Sequence, residues 1–153
     1  MKKTVLCFAM MLLLAGTVFG QRGLNCRPVF RGKVVPVERM ITTEVRGAGM
    51  ATYQLDYYRG VTFQVDTATA LKVAALVTAD AAAAESCQTE KVGDLLTYAL
   101  IVLKPGKTFN RYLCYQARPL GSTWVITLLY MEGISTLEDL HSMFEKQQAA
   151  KEK

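Results

Sequence analysis

Two runs of the sequence mix tyrosine with arginine: Tyr53, Tyr57, Tyr58 and Arg59, then Arg111, Tyr112, Tyr115 and Arg118. Tyrosine offers a broad flat ring with a hydroxyl at its tip. Arginine offers a planar fork of donors. Both anchor binding surfaces more often than most side chains do. The chemistry they suggest is recognition of a protein, a peptide or a glycan, on a sheet face carrying Tyr57, Arg59, Tyr112 and Arg118. The competing reading is that tyrosine is a common strand residue whose ring simply covers a core.

Groups suited to catalysis are sparse. His141 is the single histidine. A nucleophilic couple would need Cys87 or Cys114 beside it, and no nucleophile motif surrounds either cysteine. Glu138 and Asp139 are adjacent, but they fall in the first turn of a predicted helix, where the helix dipole favours negative charge. Glu132 stands between Met131 and Gly133 at a predicted strand end. A small hydrolase or isomerase built on such a group is the alternative to a binding module, and no catalytic residue is assigned. Gly47-Ala48-Gly49 lacks the third glycine of a dinucleotide fingerprint, and no Gly-Lys-Ser/Thr occurs. No cofactor is expected.

The cysteines point away from a metal. Cys26, Cys87 and Cys114 are far apart in sequence, whereas zinc sites use close pairs. Cys114 lies in an apolar run and reads as a small core residue. Cys26 and Cys87 flank predicted elements, where the chain can adjust to bridge geometry, and they are the candidate disulfide.

These residues must be positioned within a chain of 153 residues with a formal charge of +5. Lys2 and Lys3 precede an uncharged apolar run from Val5 to Phe19, and Val18 and Gly20 stand three and one residues before Gln21. That pattern is a secretory signal peptide over residues 1–20. The run is too short for a comfortable membrane span, which takes about 20 apolar residues. Leu14-Ala15-Gly16 is followed by Thr17 rather than the cysteine a lipoprotein needs. Export to the periplasm or the outside is therefore the expectation, with no membrane span left after cleavage. Two of the lysines leave with the leader, so the remainder carries +3. Its basic residues are scattered rather than clustered, which argues against a nucleic-acid partner.

The rest reads as one domain over residues 21–146. Residues 24–32 predict a short helical turn capped by Asn25 and stopped by Gly32. Residues 39–46 and 57–65 alternate as half-buried strands. Asp66 and Thr67 offer a cap to a helix over 67–85, rich in alanine, the best helix former, with Ala70, Val73, Ala74, Val77 and Ala81 on one stripe. Residues 86–94 predict a polar loop. Residues 95–103, 109–117 and 123–131 predict three strands joined by short turns, the last apolar on both faces apart from its threonines. Ser135-Thr136-Leu137-Glu138 matches a capping box ahead of a final helix with Leu137, Leu140 and Phe144 on its buried stripe. Residues 147–153 have nothing to bury and are expected to fray. The fold class is α+β: a largely antiparallel sheet of about five strands with two helices packed on one face, plus a short N-terminal helix.

Three stretches carry a resemblance: Tyr53–Phe63 (YQLDYYRGVTF), Thr78–Ala82 (TADAA) and Ile126–Phe144 (ITLLYMEGISTLEDLHSMF). They resemble a family of small exported Bacteroidota proteins known as a domain of unknown function. The resemblance implies the compartment and the fold. It implies no activity, ligand or catalytic residue.

Overall fold

The computed structural model describes residues 23–47 and 52–152. The predicted leader lies outside the described residues.

A one-turn helix, α1 (Arg27–Phe30), opens the described chain, and a 3-10 turn (Val37–Arg39) leads into the sheet. The strands are β1 (Ile41–Arg46), β2 (Leu55–Val65), β3 (Ser86–Val92), β4 (Leu95–Val102), β5 (Asn110–Leu120) and β6 (Thr123–Gly133). Helix α2 (Thr67–Ala82) joins β2 to β3, and α3 (Leu137–Lys151) follows β6. The sheet order is β1-β2-β6-β5-β4-β3, and every pairing is antiparallel. The fold is thus α+β on an open antiparallel sheet, as the sequence predicts.

The sheet has six strands because residues 86–92 pair with β4 instead of forming a loop. This strand is exposed at every position, so no apolar alternation marks it in the sequence. β1 is the opposite edge. It is also almost wholly exposed, with only Val45 half-buried, so the half-buried reading of residues 39–46 does not hold.

The two long helices cover opposite faces, where the sequence places them on one. Ala70, Val73, Ala74 and Val77 of α2 pack with Val61, Phe63, Ile101, Leu113, Ile126 and Leu128, and α1 adds Val29 and Phe30 to the same core. Leu140 and Met143 of α3 pack on Leu55, Tyr112 and Met131. The reason lies in β6. It is apolar on both faces, with Ile126, Leu128 and Tyr130 on one side and Leu129 and Met131 on the other. A buried side chain of this size stabilises by roughly 1.5–3 kcal/mol, so both faces demand cover.

The helix ends are set by local chemistry. The Asp66 side chain accepts the Thr69 amide at 2.8 Å and caps α2. The capping box of α3 is shifted by one residue from the sequence reading. Thr136 is the cap and Asp139 the reciprocating acid. Ser135 is instead buried, and its hydroxyl donates to the Tyr53 carbonyl. α3 runs on to Lys151, through the segment expected to fray.

One bulge re-aims a core residue. Leu55 is opposite Gly133 and Tyr57 is opposite Glu132, so Asp56 is the extra residue. The slip turns Leu55 toward α3. Only glycine fits at 133, because a Cβ there would run into the Gln54 carbonyl and the Leu55 Cα.

Candidate functional site

Register decides which side chains meet. Arg59, Tyr130, Leu113 and Ile101 lie opposite one another across four strands, on the face covered by α2. Val45, Tyr58, Met131, Tyr112 and Val102 form the neighbouring row, on the face of α3. Tyr57 and Arg59 therefore point to one side of the sheet, and Tyr112 and Arg118 to the other. The four residues predicted to form one exposed face do not share one. Two-residue periodicity places side chains within a strand, but only pairing fixes how strands are phased against each other.

Three of the four are committed to holding the fold. Tyr57 is buried, and its hydroxyl donates to Glu44 Oε1 at 3.2 Å under the Arg46 guanidinium, which lies 4.7 Å from the ring centre. Arg59 Nη2 donates to the Phe30 carbonyl at 2.8 Å and ties α1 to β2. Tyr112 is buried, and its hydroxyl donates to the Ser135 carbonyl at 2.7 Å, fixing the entry to α3. Arg118 alone is exposed.

The polar margin on the α2 face holds two hydrogen-bonded clusters. Arg46 donates to Glu44 at 2.9 Å, and this bond holds the Glu44 carboxyl below its ordinary range. Arg111 Nε donates to the Tyr130 hydroxyl at 2.8 Å, and that hydroxyl donates to Glu132 Oε1 at 2.5 Å. Burial, then donation to Glu132, pushes the Tyr130 phenol far up. Glu132 is thus engaged with Tyr130 rather than facing an open cleft.

The other face holds the open site. Leu140 and Met143 of α3 pack on its first row, and Phe144, with Cys114 of the next row, joins the same cluster. Beyond that row the cover is partial: Gly60 and Leu100 are buried, Leu129, Cys114, Thr62, Thr127 and Tyr98 are half-buried, and a groove of about 620 Å³ runs between the sheet and the second half of α3. Its floor is two register rows. Thr43, Gly60, Leu129 and Cys114 make the first; Ile41, Thr62, Thr127, Gln116 and Tyr98 make the second. Arg118 stands in the row beyond, opposite Val125. Phe144, Gln147, Gln148 and Lys151 overhang as a roof.

Several of these residues have a definable physical role. A Cβ on Gly60 would come within 2.8 Å of Leu129 Cδ2 and 3.3 Å of the Tyr58 hydroxyl, so its bareness makes room for that phenol. Thr62 Oγ1 and Thr127 Oγ1 lie 3.3 Å apart and share a hydrogen bond, which leaves one donor and further lone pairs for a ligand. Burial raises the Tyr58 and Tyr98 phenols, and pushes the Cys114 thiol up to about 11. All three are neutral at physiological pH. The site is therefore built for hydrogen bonding and stacking, with cations at Arg118 and Lys151.

The remaining candidates are apart from it. Cys26 and Cys87 are both free thiols: Cys26 is buried beneath α2, and Cys87 is exposed on edge strand β3. The structure shows no bridge between them; the Cys26 amide donates to Asp80 and its side chain lies in the core. His141 is exposed on α3. Among the described residues, no group of three His, Cys, Asp or Glu side chains could hold a metal ion, and no helix is long and apolar enough to cross a membrane.

A family model matches residues 13–144, which spans the whole sheet and the first half of α3. The chain belongs to a family of unknown function, DUF6108. The match takes in every floor residue of the groove and Arg118, and stops at Phe144 of the roof. No curated protein matches the chain, and neither does any solved structure.

Of the groove residues, the sequence pattern singles out Arg118 and Tyr58 and misses Tyr98, Thr62, Thr127 and Gln116. A signal is present. Thr127 is a hydroxyl in a strand otherwise apolar on both faces, and Tyr98 is a phenol in an aliphatic run.

Proposed function

We propose that this chain is an exported binding module that holds an extended polar ligand in the groove between the sheet and α3. The observation that carries the reading is the composition of the floor. The hydroxyls of Thr62, Thr127 and Tyr98 and the amide of Gln116 make up the outer floor row beside Ile41, under the second half of α3. A sheet face only partly covered by its helix would ordinarily be filled with charge for solubility. Here it is uncharged across its middle, and its outer row carries groups that both donate and accept.

A hydrolase or isomerase finds less support. Neither Glu132 nor His141 lines the groove, and Cys114 on its floor is a neutral thiol.

The test is capture of partners from the envelope of the producing cell, run beside a glycan array. The control is Gln116→Trp, which fills the groove from an exposed position without touching the core. The reading expects a ligand retained by the native protein and lost by that variant. Empty results on both sides remove it. Export is tested separately by sequencing the N-terminus of the protein recovered from cells. A start at Gln21 is expected, and an intact Met1 on cytoplasmic protein refutes it.

A further inference from the structure

The groove carries charge of one sign. Arg118 and Lys151 both line it, and among the described residues no carboxylate does. The acid nearest in register is Glu90 of β3, opposite Tyr98 at the far flank. Neither cation makes an ion pair or a side-chain hydrogen bond among the described residues. Unpartnered cations beside a neutral floor attract an anionic ligand, and arginine can grip a carboxylate or sulfate with two parallel bonds.

The floor narrows the ligand further. A peptide lying on a sheet face leaves its backbone N–H and C=O groups without the ladder that an edge would supply. Sugar hydroxyls have the opposite property. Each donates and accepts, as do Thr62, Thr127, Gln116 and Gln147 around them. The Tyr58 and Tyr98 rings add flat surface for the apolar faces of sugar rings. We infer that the groove takes an oligosaccharide bearing carboxylate or sulfate groups, with its anion at Arg118 and Lys151. The inference rests on the groove being the binding site.

Calorimetric titration of the whole protein tests it with four probes: tetragalacturonate, a sulfated heparin tetrasaccharide, neutral cellotetraose and hexaglutamate. The first two separate carboxylate from sulfate. At least one of them is expected to bind more tightly than cellotetraose, with an affinity that falls as salt rises. Arg118→Gln and Lys151→Gln are each expected to weaken that probe by about tenfold. Lys72→Gln, on the exposed side of α2, should change nothing. Equal binding of acidic and neutral sugars, or indifference to Arg118→Gln, overturns the anionic inference and leaves the groove reading standing. Binding of hexaglutamate alone overturns the sugar class. If no probe binds, this inference falls. Whether Gln116→Trp still captures every envelope partner then decides the groove reading on its own.

Discussion

The Asp80 carboxylate accepts the backbone amide of Cys26 at 3.0 Å, across 54 residues of sequence. The same side chain accepts the Asn25 amide at 2.7 Å and the Asn25 side-chain amide at 3.0 Å. Among the described residues Asp80 and Ser135 are the buried polar side chains, and Asp80 lies at the end of the apolar stripe of α2. It fastens the N-terminal segment, and with it Val29 and Phe30, to the main core.

Replacing Asp80 with alanine leaves buried amides without acceptors. A loss of about 2–4 kcal/mol is expected, since bonds to a charged acceptor contribute more than neutral ones. Asp80→Asn keeps one carbonyl acceptor and should cost less. Urea unfolding followed by Trp124 fluorescence measures both. Equal stability of Asp80→Ala and the native chain would contradict the role.

Reactivity should separate the three described cysteines. The thiolate is the reactive form. Burial, and then the charge of Asp80, pushes the Cys26 thiol far above its ordinary value, and burial pushes Cys114 up to about 11. Cys87 is exposed. A thiol reagent at pH 8 is expected to modify Cys87 alone, with Cys26 and Cys114 following only on unfolding. Peptide mapping reads the order.

Leu140 anchors α3. It is 1% exposed, and only Met143 joins it as a buried residue of that helix. Leu140→Ala is expected to cost about 2–4 kcal/mol of the stability of this contact. The loss should be local. Amides of α3 should exchange faster, while those of α2 keep their protection. Uniform acceleration across the sheet would show instead that α3 and the core unfold as one unit.

The helix caps make stability fall in acid. Bonds from Thr69 hold the Asp66 carboxyl below its ordinary value of 3.8, and the Thr136 amide and hydroxyl do the same for Asp139. A depressed folded-state pKa contributes stability that is present above the unfolded value and lost as pH falls through the folded one. The helices should therefore weaken as pH drops below about 4. Asp66→Asn caps without titrating, so it should remove the part of that decline that belongs to α2. Circular dichroism across pH 2–6 shows whether it does.

Much of the fold is legible in the amino-acid sequence. The alanine-rich run between Asp66 and the polar segment after it forms the long helix, because its caps and propensities act within a few residues of each other. The β5–β6 hairpin follows from turn residues within Pro119-Leu120-Gly121-Ser122, of which Gly121 and Ser122 form the loop between Leu120 and Thr123. The α3 cap is legible only to within one residue, since Ser135 and Thr136 are equally good caps in sequence. The burial of Ser135 against Tyr53 chooses between them.

The candidate site is only partly legible. Sequence by itself determined which residues alternate, which stretches are helical, and that β6 is apolar on both sides, but not that a helix would cover each of them. It could not determine that Tyr58 rather than Tyr57 shares a face with Tyr112 and Arg118, that residues 86–92 find a partner in β4, or that Asp80 would meet Cys26. Periodicity is a local property, carried by neighbours one to four residues apart. Phase between strands, the side on which a helix lands and the partner of a buried carboxylate are fixed only when distant segments compete to bury the same surface.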